Sequence, residues 1–158
     1  MMRTENEAWF PCDTEMAYEL AVRVERWPRL LPHYRFVRFH EGDSDAGGLV
    51  EMAARRDFGR LPWPVWWVSR MRCDRKARRI FYTHVGGVTR GMEVVWQVDP
   101  FCGGTLVRII HDWDGGPRFC GPAARTVGRA IVGPVFIHHV AAQTLHFLGL
   151  EARKERIG

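Results

Sequence analysis

The chain has 158 residues, 46% of them hydrophobic, and a formal net charge of +5, a size that fits one domain, 1–158, able to bury roughly 70% of its unfolded surface without covalent staples. Cys12, Cys73, Cys102 and Cys120 stand far apart with no Cys-x-x-Cys or Cys-His spacing, which excludes a zinc ribbon and predicts reduced thiols. MMRTENEAWF contains no apolar h-region and no run of about 18 apolar residues follows, so neither export nor a membrane span is expected and the predicted compartment is the cytoplasm.

In chain order, Thr4 to Phe10 alternates as a first strand that Pro11 ends. Asp13 or Thr14 offers an N-cap for a helix carrying Met16, Ala17, Leu20, Ala21 and Val24 at helical spacing, and Glu25 to Leu31 reads as a second short helix closed by Pro32. The period then falls to two over Tyr34 to Phe39, Val50 to Phe58, Val65 to Cys73, Ile80 to Val85, Met92 to Val98 and Leu106 to Trp113. Short turn-forming breaks separate these runs, which predicts an antiparallel meander. Ala123 to Lys154 reads as one long helix whose buried stripe is Val127, Ile131, Pro134, Val135, His138, Ala142, Leu145 and Leu148 or Gly149, with a kink at Pro134. A sheet with one apolar face and an amphipathic helix bury both most simply when the sheet curls around the helix, an arrangement that tends to enclose a cavity.

The basic residues cluster at Arg70, Arg72, Arg75, Lys76, Arg78 and Arg79 and again at Arg153, Lys154 and Arg156. No nucleic-acid motif accompanies them, so they read as a solvated outer face; no nucleic-acid partner is expected, and contact with an anionic membrane surface is expected to be weak.

The segment Val24-Glu25-Arg26-Trp27-Pro28-Arg29-Leu30-Leu31-Pro32-His33-Tyr34, the strand Trp66-Trp67-Val68-Ser69, the opening Gly104-Thr105-Leu106-Val107-Arg108 and the helix from Phe136-Ile137 through Leu145, Leu148 and Glu151 together resemble the START-like (SRPBCC, birch-pollen-allergen-like) superfamily, in particular its polyketide cyclase/dehydrase branch. The resemblance implies an α+β helix-grip fold: a bent seven-stranded antiparallel sheet wrapped around a long C-terminal helix, with two short helices after the first strand and a deep apolar pocket between. Members bind lipids, sterols, quinones, polyketides or plant hormones, and a minority are enzymes. In the aromatase/cyclases of the branch the resemblance implies pocket roles for the tyrosine at Tyr34 and for an arginine two positions beyond Ser69. This chain has Met71 there, whose thioether cannot stabilise an enolate.

Alternation fixes which strand residues face inward. With Arg70 and Arg72 in water, Trp67, Ser69, Met71 and Cys73 face the pocket; Met92, Val94, Trp96 and Val98 do so on the next strand considered, and Val107, Ile109, His111 and Trp113 on the last. The helix is expected to add Ile131, Val135 and His138. His111 reads either as a histidine satisfied by its surroundings or as an acid, base or donor to a ligand. Tyr34 either donates its phenol to a ligand or caps the core. Ser69 lacks the turn and partners of a nucleophile. His138 and His139 are adjacent on a helix and point about 100° apart, so no metal is expected, and no cofactor either. One of Arg55 and Arg56 is expected to point inward, and Trp63 and Trp66 to form an apolar rim. The expected partner is a hydrophobic small molecule, polyketide, quinone or lipid-like; the alternatives are a cyclase/dehydrase using Tyr34 or His111 as candidate catalytic groups, and a quinone- or membrane-associated interaction module. Oligomeric state is left open.

Overall fold

The computed structural model describes residues 1–157, with side chains through residue 155. Its strands are β1 (Met2–Phe10), β2 (Tyr34–Asp43), β3 (Gly47–Phe58), β4 (Leu61–Asp74), β5 (Arg79–Gly87), β6 (Glu93–Phe101) and β7 (Gly104–Trp113). They form one seven-stranded antiparallel sheet in the order β1-β7-β6-β5-β4-β3-β2. The meander runs from β2 to β7, and β1 closes it by pairing along β7 from Met2↔Trp113 to Phe10↔Thr105.

Helix α1 (Thr14–Val22) starts where the Asp13 side chain accepts from the Met16 N–H at 2.8 Å, so Asp13 is the N-cap. It buries Ala17, Tyr18, Ala21 and Val22. A 3₁₀ turn (Val24–Arg26) leads into the single turn α2 (Trp27–Leu30), whose Pro28 sits in the first turn, where its missing N–H costs nothing.

The strands run further than alternation predicts. The break at 42–48 contracts to a turn in which Asp43 Oδ1 accepts from the N–H groups of Asp45 and Ala46 at 2.9 and 2.8 Å. Strand β4 begins at Leu61 and includes Pro62 and Pro64. This is tolerated because β4 pairs with β5 only from Trp67 onward, so the prolines lie on a stretch bonded to β3 alone, where a strand can spare donors.

The long helix differs most from expectation. It consists of α3 (Ala124–Val127), a π-wound stretch over Gly128–Ile137 and α4 (His138–Ile157). Pro134 has no N–H to return to the preceding turn, and the His138 N–H bonds the Gly133 carbonyl, five residues back. Widening the turn shifts the phase of everything on it. Gly133, Val140, Ala141, Thr144, Leu145, Leu148 and Ala152 are buried, whereas Ile131, Pro134, His138 and Ala142 of the predicted stripe are exposed and Val135 is half-buried.

The core fills the end of the grip nearer α1, with Phe10, Tyr18, Leu31, Ile80 and Leu148 fully buried. Ion pairs clamp that end from outside: Arg23 bonds Glu19 and Asp45 at 2.9 and 2.7 Å, and Arg75 bonds Glu19 at 2.6 Å. Of the predicted basic clusters, Arg70, Arg72 and Arg75 are exposed on the outer side, as are Arg153 and Lys154; the Arg156 side chain lies outside the described ones.

Candidate ligand cavity

At the other end of the grip the helix stands off the sheet and leaves a cavity of about 970 Å³. Its floor is the inward face of β4 to β7, its inner end Trp27 and Tyr34, and its roof the helix between Val127 and Thr144. Tyr34, Trp67, Met92, Val94, Trp96, Ile109, His111 and Ile131 line it; Tyr34 was expected there from the resemblance, Ile131 from the helix stripe and the others from alternation. A cluster of rings holds the inner end: Trp27 meets Tyr34 edge-on at 5.1 Å and Trp96 at 5.5 Å, and Tyr34 meets Trp67 at 6.1 Å.

Ser69, Met71, Trp113, Val135 and His138 do not line the cavity. Ser69 faces inward but is wholly buried, opposite Val50 and His84, where the chains leave no gap. Met71, level with Tyr82, lies past the floor in the packed core. The Trp113 indole tucks beside Gly115 and Gly128 under the start of the helix and donates from Nε1 to the Arg90 carbonyl at 3.1 Å. The π winding turns Val135 aside and puts the His138 side chain in solvent, while the His138 backbone carbonyl accepts from the buried Asn6 Nδ2 at 3.1 Å. Neither Arg55 nor Arg56 meets a buried acid: Arg55 pairs with Asp57 at 3.5 Å, and Arg56 Nε donates to the Val135 carbonyl. Trp63 and Trp66 both border the cavity, and the Trp66 indole donates from Nε1 to Glu51 at 2.7 Å.

The sequence reading took Ile80 to Val85 as a strand but assigned none of its residues to the inward face. Ile80, Tyr82 and His84 share one parity there, and Tyr82 and His84 line the cavity. The His84 ring stacks on Trp67 with centroids 5.9 Å apart and planes at 6°, and its Nδ1 bonds the Thr89 hydroxyl at 2.6 Å. Thr144 was also missed. Its hydroxyl donates to the Val140 carbonyl at 2.8 Å and therefore accepts from His33 Nε2 at 3.0 Å, which ties α4 to the chain entering β2.

The wall is polar in places and uncharged. Burial and the nearby His111 push His84 down to about 3, and burial pushes His111 down to about 4, with Asp112 opposing and His138 assisting. Burial raises the phenols of Tyr34 and Tyr82 above their usual range. At neutral pH both imidazoles are therefore neutral and both phenols protonated. The charges that border the space, Arg90 and Arg118, are exposed at its mouth. Among the described residues no three His, Cys, Asp or Glu side chains gather closely enough to hold a metal.

The family model for polyketide cyclase / dehydrase and lipid transport matches residues 11–135. No curated protein sequence matches the chain. Among solved structures, TTHA0849 from Thermus thermophilus superposes with a TM-score of 0.76 at 19% identity, over 97% of this chain and 98% of that one. The Zhui aromatase/cyclase from Streptomyces sp. R1128 gives 0.71 at 18% identity over 96% and 93%. A START superfamily protein from Mycobacterium smegmatis gives 0.67 at 14% identity over the full length of both. At these identities the likeness is one of fold, the helix grip.

Proposed function

The chain belongs to the polyketide cyclase / dehydrase and lipid-transport family, and from that premise we propose that it binds a neutral, flat, largely apolar molecule of the polyketide or quinone type in the cavity between sheet and helix. The observation that carries this reading is the wall itself. Its aromatic and aliphatic surface offers a ligand about 25 cal/mol for each Å² taken out of water, and its polar groups, Tyr34, Thr89, Tyr82, His84, His111 and Thr144, are all neutral. A carboxylate or ammonium placed among them, away from Arg90 and Arg118 at the mouth, would lose hydration without meeting an opposite charge. Ketone, phenol and quinone oxygens meet hydrogen-bonding groups at no such cost.

Native mass spectrometry of freshly purified protein, with organic extraction and mass analysis of what is released, tests the proposal. A neutral apolar passenger supports it; an empty protein that also fails to bind 2-methyl-1,4-naphthoquinone by tryptophan quenching removes it.

Catalysis as a cyclase or dehydrase is the second reading, favoured by an imidazole and a phenol on one cavity wall. General-base catalysis works best when the base titrates near the working pH, and burial pushes His111 down to about 4, away from it. Binding is therefore the stronger reading. A poly-β-keto substrate whose product distribution is unchanged by the protein would eliminate the second one.

A further inference from the structure

The cavity mouth is ringed by side chains that water does not favour. Leu61 at the β3–β4 turn is 60% exposed, Trp63 51%, Val88 at the β5–β6 turn 53%, Phe119 in the 3₁₀ segment (Arg118–Ala123) before α3 81%, and Ile131 on the π-wound stretch 49%. Trp63, Val88, Phe119 and Ile131 border the opening directly. Each of these segments also carries an exposed arginine one or two positions from its apolar residue: Arg60 beside Leu61, Arg90 near Val88, Arg118 beside Phe119 and Arg129 near Ile131. Elsewhere on the surface Arg3, Arg75, Arg79 and Arg108 are held by carboxylates, while the exposed Arg26, Arg29, Arg35 and Arg72 have no ion pair among the described residues. Around the mouth, Asp57 and Asp114 are engaged with Arg55 and Arg125, and no ion pair takes up Arg60, Arg90, Arg118 or Arg129 among the described residues.

We propose that this rim is a docking surface for an anionic phospholipid bilayer. Apolar residues at the tips of separate segments, each with an arginine alongside, suit the boundary between headgroups and acyl chains: the apolar tip enters, and the guanidinium reaches back to a phosphate. The net charge of +5 attracts the protein to such a surface. A folded acidic protein would answer the arginines but would need a matching pit for each separated tip, whereas a bilayer yields to them. Docking in this orientation turns the cavity opening toward the lipid, so an apolar ligand passes between the two without crossing water. That last consequence rests on the ligand reading above; the docking does not.

The test is sedimentation of the purified, ligand-free protein with vesicles of phosphatidylcholine alone and of phosphatidylcholine mixed with phosphatidylglycerol at about 0.1 M salt, together with quenching of tryptophan fluorescence by brominated phosphatidylcholine in the mixed vesicles. The expected result is binding about tenfold stronger to the anionic vesicles, with quenching that weakens in Trp63→Phe. The Arg60→Gln/Arg129→Gln and Leu61→Ser/Phe119→Ser double variants change exposed side chains and are each expected to lose about tenfold in vesicle binding. Equal binding to both vesicle types overturns the proposal. So does binding that the arginine variant abolishes while Leu61→Ser/Phe119→Ser leaves it intact without quenching, because the arginines would then serve an acidic macromolecule. Binding of 2-methyl-1,4-naphthoquinone without vesicles is read separately: its failure counts against the cavity proposal and leaves the docking result standing.

Discussion

The Arg56 guanidinium donates from Nε to the carbonyl oxygen of Val135 at 3.0 Å, joining the end of β3 to the π-wound part of the long helix. The same guanidinium lies 4.1 Å from the Phe58 ring, which meets Phe136 edge-on at 5.7 Å. The cavity roof is thus fastened at one side by a charged hydrogen bond and a pair of rings. Replacing Arg56 by Met keeps the stem and removes the donor. The expected cost is about 1.5–3 kcal/mol, and amide exchange in the stretch around Val135 should accelerate more than in α1. Uniform acceleration throughout the molecule would contradict a local clasp.

Trp67 and Trp113 both face inward, but they do different work. Trp67 lines the cavity and stacks on His84, whereas Trp113 is sealed under the helix start. Trp67→Ala should weaken 2-methyl-1,4-naphthoquinone binding by roughly tenfold or more, since at least about 1.4 kcal/mol of contact leaves with the ring. Trp113→Phe should instead lower stability by about 1 kcal/mol through loss of the bond to Arg90, at nearly unchanged affinity. Titration of both variants beside urea unfolding checks the contrast, and equal effects on affinity would refute it.

Three histidines make the fold sensitive to acid. Burial holds His33 and His111 down to about 4 and His84, with help from His111, down to about 3, against an ordinary value of 6.5. The unfolded chain takes up protons that these side chains refuse in the fold, so stability is full above pH 6.5 and falls as pH drops from there toward 4. The slope is about 1.4 kcal/mol per histidine per pH unit. The urea midpoint should fall between about pH 7.5 and about pH 5, and the fall should shrink in the His33→Gln/His84→Gln variant. Identical midpoints at the two pH values would show that the imidazoles are not shielded.

Thr144 holds two elements with one hydroxyl, donating to Val140 and accepting from His33. Thr144→Val matches the shape and leaves a buried His33 N–H without an acceptor, at an expected cost of about 1–3 kcal/mol. Thr144→Ser should recover most of it. Equal stability of the two variants in urea unfolding would mean that His33 finds another partner.

Side-chain parity carried much of this architecture into the sequence. Alternation placed Met92, Val94 and Trp96 on one strand and Ile109 and His111 on the next toward the interior, because a strand offers only two faces. It could not say how far along the strand the interior is empty. Met71 and Trp113 share that parity yet lie in packed regions, since the gap depends on where the helix stands off the sheet. The helix residues were misphased for another reason. A period of about 3.6 projects His138 and Ala142 inward, and the π winding around Pro134 rotates them out; Pro134 was the visible signal, read only as a kink. Tyr82 and His84 were legible by the same parity on β5.

The pairing of β1 with β7 orders the assembly of the molecule. During synthesis each strand from β2 to β7 can pair with its predecessor soon after it emerges, whereas β1 waits for a partner at the far end of the sheet, Met2 meeting Trp113. Closing so long a loop costs roughly 3 kcal/mol more chain entropy than a short hairpin, so the meander gains structure first and β1 docks late, together with the α4 helix that packs on it. Until then the apolar floor that later faces a ligand is open to water and to other chains, and the interval before the last helix emerges is when this protein is most exposed to aggregation.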